Sequence, residues 1–202
     1  MAELVTTGHG EVERTADQAG VALRYASRSK ERTAAVQGLT RRMATVEPIV
    51  TRPGVVVRSR RLSVHDVWEG KRRSGAEATQ SYALLVTDVS VLNDLLGELV
   101  TTEPAHLDGP HWELADRTAA HREAQRDAVA DGRASAQGYA DALGARLGPL
   151  LRLEDTSPGR LRETFHTMAL SSGSGPAIAE LSLEPQLVTV VALCSLTWAL
   201  LD

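Results

Sequence analysis

The segment HLDGPHWELAD brings His106, Asp108, His111 and Glu113 close together, with His121 a little further on. Imidazole and carboxylate groups are ligands for zinc and other transition metals, and in an extended chain His111 and Glu113 share one face. His106, His111 and Glu113 are therefore the candidate metal ligands. Their spacing matches no established metal site, and the competing reading is a polar turn that leads into a strand.

A second concentration of chemistry is basic. Arg58, Arg60, Arg61, Lys71, Arg72 and Arg73 fall within the segment GVVVRSRRLSVHDVWEGKRRSGAEATQSYALLVTD, which reads as a long hairpin with EGKRRSG at its tip. Simple alternation puts Val55, Val57, Ser59, Arg61 and Ser63 on one face. Val56, Arg58, Arg60, Leu62 and Val64 fall on the other. Such arginines could contact phosphates or the acidic groups of another subunit, which makes Arg58, Arg60, Arg61, Arg72 and Arg73 the interaction candidates. The alternative is a solvated hairpin whose charges discourage pairing at its edge.

Nucleophilic chemistry has little to stand on. There is no G-x-S-x-G step, and the single cysteine, Cys194, lies in the apolar run LVTVVALCSLTWALL, where a thiolate is disfavoured. SSGSGP has the glycine content of a phosphate cradle but lacks its GK[ST] ending. No catalytic residue and no cofactor is assigned, and the chain is expected to be non-enzymatic.

The whole composition narrows the classes further. The chain has 202 residues, 43% of them hydrophobic and 24% charged, enough to build a sizeable core. Its net charge is −4, with 14 basic and 12 acidic residues in positions 1–100 against 8 and 14 in positions 101–202. Neither half is basic enough to suggest a nucleic acid or an anionic membrane as partner, and 3% aromatic content offers few stacking platforms. The opening MAELVTTGHGEVER has neither a basic n-region nor an apolar h-region, so a cytoplasmic location is expected. A lone cysteine allows no internal disulfide and constrains the redox compartment only weakly.

Periodicity supplies the elements that position these groups. Leu4–Arg14 and Val21–Ser29 alternate as strands around turn-type residues, with His9 a strand residue between two glycines. SKERTAAVQGLTRRMATVEP predicts a helix capped at Ser29, with Ala35, Val36, Leu39, Met43 and Val46 on its apolar stripe, ending before Pro48. After the hairpin, Asp88 or Ser90 can cap a helix through VLNDLLGELV. A short strand at His111–Ala115, a long helix from Asp116 to Leu143, a strand at Leu147–Glu154 and a closing strand at Gln186–Leu200 complete the order. Between the last two, an insertion at about 156–185 contains the breakers SPG, SSGSGP and EP.

The predicted order is ββα-ββα-β-α-β-β. It predicts an α+β fold in one domain, 1–202, with a mixed, mostly antiparallel sheet and helices packed on one side. The two initial ββα blocks suggest an internal duplication.

Within the long helix, counting in fours gives Ala120, Ala124, Ala128, Gly132, Ala136 and Ala140, all small. Residues four apart lie on nearly one face, so the helix carries a groove suited to close packing against another element, or to receiving a partner. Gly144 reads as its C-terminal cap. Gly138 lies off the groove and suggests close packing on a second face.

The run EAQRDAVADGRASAQGYADALGARLGPLLRLED resembles the signature of the SIMPL-domain family. In that family an alanine-rich helix with an Asp-Ala-Arg-like step ends in Leu-Gly and leads to a strand. Here the step is Asp131, Gly132, Arg133, with glycine at the usual alanine position. VTTGHGEVERTADQAGVAL is similar to the family's opening strand, and EPQLVTVVALCSLTWALL to its closing strand. The resemblance implies an α+β domain without accepted catalytic residues. Its members are mostly exported or envelope proteins, with relatives linked to oxidative-stress defence or, in animals, to kinase signalling. Together these observations predict a protein that acts through homo-oligomerisation or partner binding. The alternative is a small-molecule or metal-binding stress protein.

Overall fold

The computed structural model describes residues 2–156 and 183–202, and most of the insertion expected at about 156–185 lies outside them. Its strands are β1 (Ala2–Thr15), β2 (Gln18–Ser29), β3 (Val55–Glu69), β4 (Arg72–Val86), β5 (His106–Glu113), β6 (Arg146–Asp155) and β7 (Leu187–Leu201). Its helices are α1 (Arg32–Val50), α2 (Leu92–Thr101, after a 3-10 turn at Val89–Val91) and α3 (Arg117–Ala142). The fold is α+β, with the strands in two antiparallel sheets rather than the one expected. Two compact units divide the described residues, 2–15 with 114–156 and 187–202 in one, and 16–113 with 183–186 in the other. No helix among the described residues is long and apolar enough to cross a membrane.

In the first unit the sheet order is β1-β7-β6, and β1 pairs with β7 along its whole length, from Ala2 opposite Leu200 to Thr15 opposite Leu187. Strand alternation puts Thr6, Gly8, Gly10 and Val12 on the buried face of β1, and Val190, Ala192, Cys194, Leu196 and Trp198 on that of β7. Helix α3 covers this face with the six small residues counted above, every one buried. A Cβ added at Gly8 would stand 1.9 Å from the Ala128 carbonyl oxygen, and one at Gly10 would stand 1.9 Å from that of Ala124. The groove is thus a close helix-to-strand contact, and its counterpart is the GHG of β1.

Polar groups fix that contact. Thr6, 6% exposed, donates its hydroxyl to the Gly132 carbonyl at 2.9 Å and accepts the indole N–H of Trp198 at 3.3 Å. The backbone N–H of His9 is bound by the Asp131 carboxylate at 2.9 Å. Asp116 caps the start of α3 by accepting the Ala119 N–H, and Gly144 closes its end at φ 68°, a conformation favourable to glycine. Gly138 corrects its expectation: a Cβ there meets nothing within 4 Å, so the residue faces open space.

The second unit has sheet order β3-β4-β2-β5. On one face β2 presents Ala19, Val21, Leu23 and Tyr25, and β4 presents Ala76, Ala78, Tyr82, Leu84 and Val86, all buried. Helix α1 packs on this face through Ala35, Leu39, Val46 and Val50. Its start corrects the predicted cap: the helix begins at Arg32 after Glu31, and no side chain caps it. It also runs through Pro48 to Val50, because a proline so near the end disrupts little of the remaining ladder and Val50 still gains burial. Asp88 accepts the Ser90 N–H ahead of α2, whose Leu92, Leu95, Leu96 and Leu99 are buried.

Three further expectations shift. The hairpin tip shrinks to Gly70 and Lys71, with Gly70 at φ 62°, and strand β5 starts at His106 rather than His111. The ββα blocks share element order but not pairing: β3 and β4 form a hairpin, whereas β1 and β2 lie in different sheets. Strand β7 is the centre of its sheet.

Candidate functional site

The candidate metal ligands lie on β5, an edge strand that pairs with β2. Its irregular register, with a shift between Gly20 and Ala22 of β2, sets Glu113 opposite Gln18 and His111 opposite Gly20. His111 Nε2 lies 3.0 Å from the Asp108 carboxylate, and the Glu113 carboxylate receives two hydrogen bonds from Arg58, at 2.9 and 2.8 Å. His106 is exposed. Among the described residues no group of three or more His, Cys, Asp or Glu side chains is arranged to hold a metal. The segment therefore closes an ion pair between the two edge strands of its sheet, β3 and β5, and the Arg58 guanidinium is held above its ordinary pKa by its hydrogen bonds to Glu113.

The basic hairpin is resolved into separate environments by a bulge. Val57 pairs with Leu84 and Ser59 with Ala83, which leaves Arg58 as the extra residue. Alternation restarts after it. Arg60 falls opposite Tyr82 on the α1 face, while Arg58 reaches Glu113 on the other, so the two arginines do not share a face as simple alternation suggested. Arg73 joins Arg32 on the Asp66 carboxylate, at 3.0 and 2.8 Å. Those two arginines hold the Asp66 carboxyl at about 2. Arg61 and Arg72 are exposed.

Arg60 is part of a constellation that the sequence reading missed. Its Nη2 donates to Glu47 Oε2 at 2.8 Å, and its guanidinium carbon lies 5.6 Å from the centre of the Tyr82 ring. Tyr82 donates its hydroxyl to Glu47 Oε1 at 3.0 Å. Burial, and then the hydrogen bond to Glu47 and its negative charge, raise the Tyr82 pKa to about 12, so the phenol remains a donor at neutral pH. These groups line a cleft of about 220 Å³ between α1, β3 and β4, together with Gln80 and the apolar Val36, Leu39, Met43 and Leu62. The only available signals were an acidic residue beside Pro48 and an arginine whose face the bulge disguises.

In the first unit a smaller cleft of about 150 Å³ lies between α3 and β6, with Val129, Leu153, Leu193 and Cys194 on its walls. Cys194 is 6% exposed, and burial raises its thiol pKa, as expected from its apolar surroundings. His9, beside Glu11 at 3.9 Å, is an exposed strand residue between the two packing glycines.

Comparison with curated proteins found no match. The profile of the SIMPL family, described as proteins of unknown function (DUF541), matches residues 4–198. That span includes the glycine-marked opening strand, the small-residue helix laid on it and the closing strand between β1 and β6, and on it the chain belongs to the SIMPL family.

Proposed function

We propose that the protein is non-enzymatic and works by assembling with further copies of itself through an open strand edge. The observation that carries this reading is β6. It lies at the edge of its sheet, hydrogen-bonded to β7 alone among the described strands, and it leaves Leu150, Leu151 and Leu153 exposed at 40%, 44% and 50%. An edge strand offers unpaired main-chain donors and acceptors to another strand, and apolar side chains around it add area removed from water on pairing. Pro149 and the register shifts near Leu150 limit where a partner strand can pair, which favours one register over indefinite stacking.

Static light scattering and sedimentation velocity over a wide concentration range test the reading. Defined association in the wild type, weakened in a Leu151→Lys/Leu153→Lys variant of unchanged circular dichroism, is the expected result. A chain that stays monomeric throughout removes self-assembly.

A further inference from the structure

The cleft lined by Arg60, Glu47 and Tyr82 has the form of a small-molecule site: a mainly apolar wall with a few convergent polar groups. It lies wholly within the second unit and is independent of the β6 edge. Its charges define what fits. Arg60 and Glu47 stand side by side at 2.8 Å, and their side chains remain 45% and 37% exposed, so each presents surface to an incoming molecule. A simple anion drawn to Arg60 meets the Glu47 carboxylate, and a simple cation drawn to Glu47 meets the guanidinium. A head group with both charges on neighbouring atoms gives each residue its opposite.

We propose that this cleft binds a free α-amino acid with an apolar side chain. The carboxylate takes the guanidinium of Arg60, in the planar geometry that suits arginine, and the ammonium takes Glu47. Tyr82 holds Glu47 from the buried side, so the carboxylate is positioned before the ligand arrives. The ligand's side chain lies along Leu39, Met43 and Leu62, where the methionine's flexible thioether adapts to its shape. Gln80, on the same wall, supplies an amide able both to donate and to accept. A cleft of about 220 Å³ suits one such molecule.

Titration calorimetry on the full chain, with L-leucine as the probe, tests the proposal. Two analogues separate the charges: 4-methylpentanoate lacks the ammonium, and 3-methylbutylamine lacks the carboxylate. The expected result is saturable binding of L-leucine, with each analogue weaker by about tenfold or more, the equivalent of one charge-assisted contact. Arg60→Gln and Glu47→Gln, each checked for unchanged circular dichroism, weaken L-leucine by a similar factor. Should either variant misfold, the analogue series on the wild type still decides. No saturable binding of L-leucine, or equal binding of 4-methylpentanoate, overturns the proposal.

Discussion

The carbonyl oxygen of Ala128 occupies the place where a side chain on residue 8 would begin, so Gly8 of β1 meets helix α3 backbone to backbone. Neither backbone can yield without moving its whole element. Gly8→Ala is expected to cost about 3 kcal/mol, the upper range for overpacking a core. Gly132→Ala should cost less, because the nearest obstacle at 2.5 Å is the end of the Leu196 side chain. Urea denaturation of both variants gives the order, and a Gly8→Ala loss smaller than that of Gly132→Ala would contradict this account.

Gly138 gives the opposite sign. It lies in the same helix with nothing near its absent Cβ, so Gly138→Ala should raise stability by about 0.5–1 kcal/mol through helix propensity alone. The same urea series reads it, and a destabilised variant would point to a contact on that face.

Thr6→Val keeps the shape of the side chain and removes its hydroxyl. The Gly132 carbonyl and the Trp198 indole N–H then lose their partner in a buried place, at a cost of about 1–3 kcal/mol. Thr6→Ser retains the hydroxyl and should recover much of the loss. Equal stability of Thr6→Val and wild type would show that water replaces the hydroxyl there.

Acid titration should register the cluster of Asp66 with Arg32 and Arg73. The Asp66 carboxyl is held at about 2, below its ordinary 3.8. A depressed carboxyl contributes stability that is fully present above the ordinary value and is lost as pH falls from there through about 2. Asp66→Asn should flatten the fall of stability with acid over that window and leave the slope at neutral pH unchanged. Thermal melts at a series of pH values compare the two proteins, and parallel curves for both would exclude the contribution.

Cys194 should react slowly with a thiol reagent in the folded protein. The thiol is buried and its pKa is raised by that burial, so little thiolate is present and little of it is accessible. Reaction with an aromatic disulfide at neutral pH, with and without urea, gives the comparison. Similar rates in both would mean that the α3 and β6 cleft opens readily.

The sequence made some of this legible and hid the rest for physical reasons. The count in fours along α3 identified all six residues that the helix buries, because helical period alone selects a face. GHG read as a strand residue between two glycines, yet both glycines are there to let the helix approach, a relation between segments more than a hundred residues apart. The order of elements was readable, but its partition into two sheets was not, since alternation shows that a strand has two faces and not which strand it pairs with. The His106–Glu113 segment looked like ligands because residue type was visible and the partner Arg58 was remote. The cleft at Glu47, Arg60 and Tyr82 joins three elements, and no local pattern marks it.

The bulge at Arg58 gives β3 one residue more than its ladder with β4 needs. Deleting Arg58 would make Val57 and Ser59 consecutive partners of Leu84 and Ala83, and Arg60 would stay opposite Tyr82 beside Glu47. The spare residue can therefore be lost without reversing the faces of the strand toward the hairpin tip, and what disappears with it is the tie to Glu113 across the sheet.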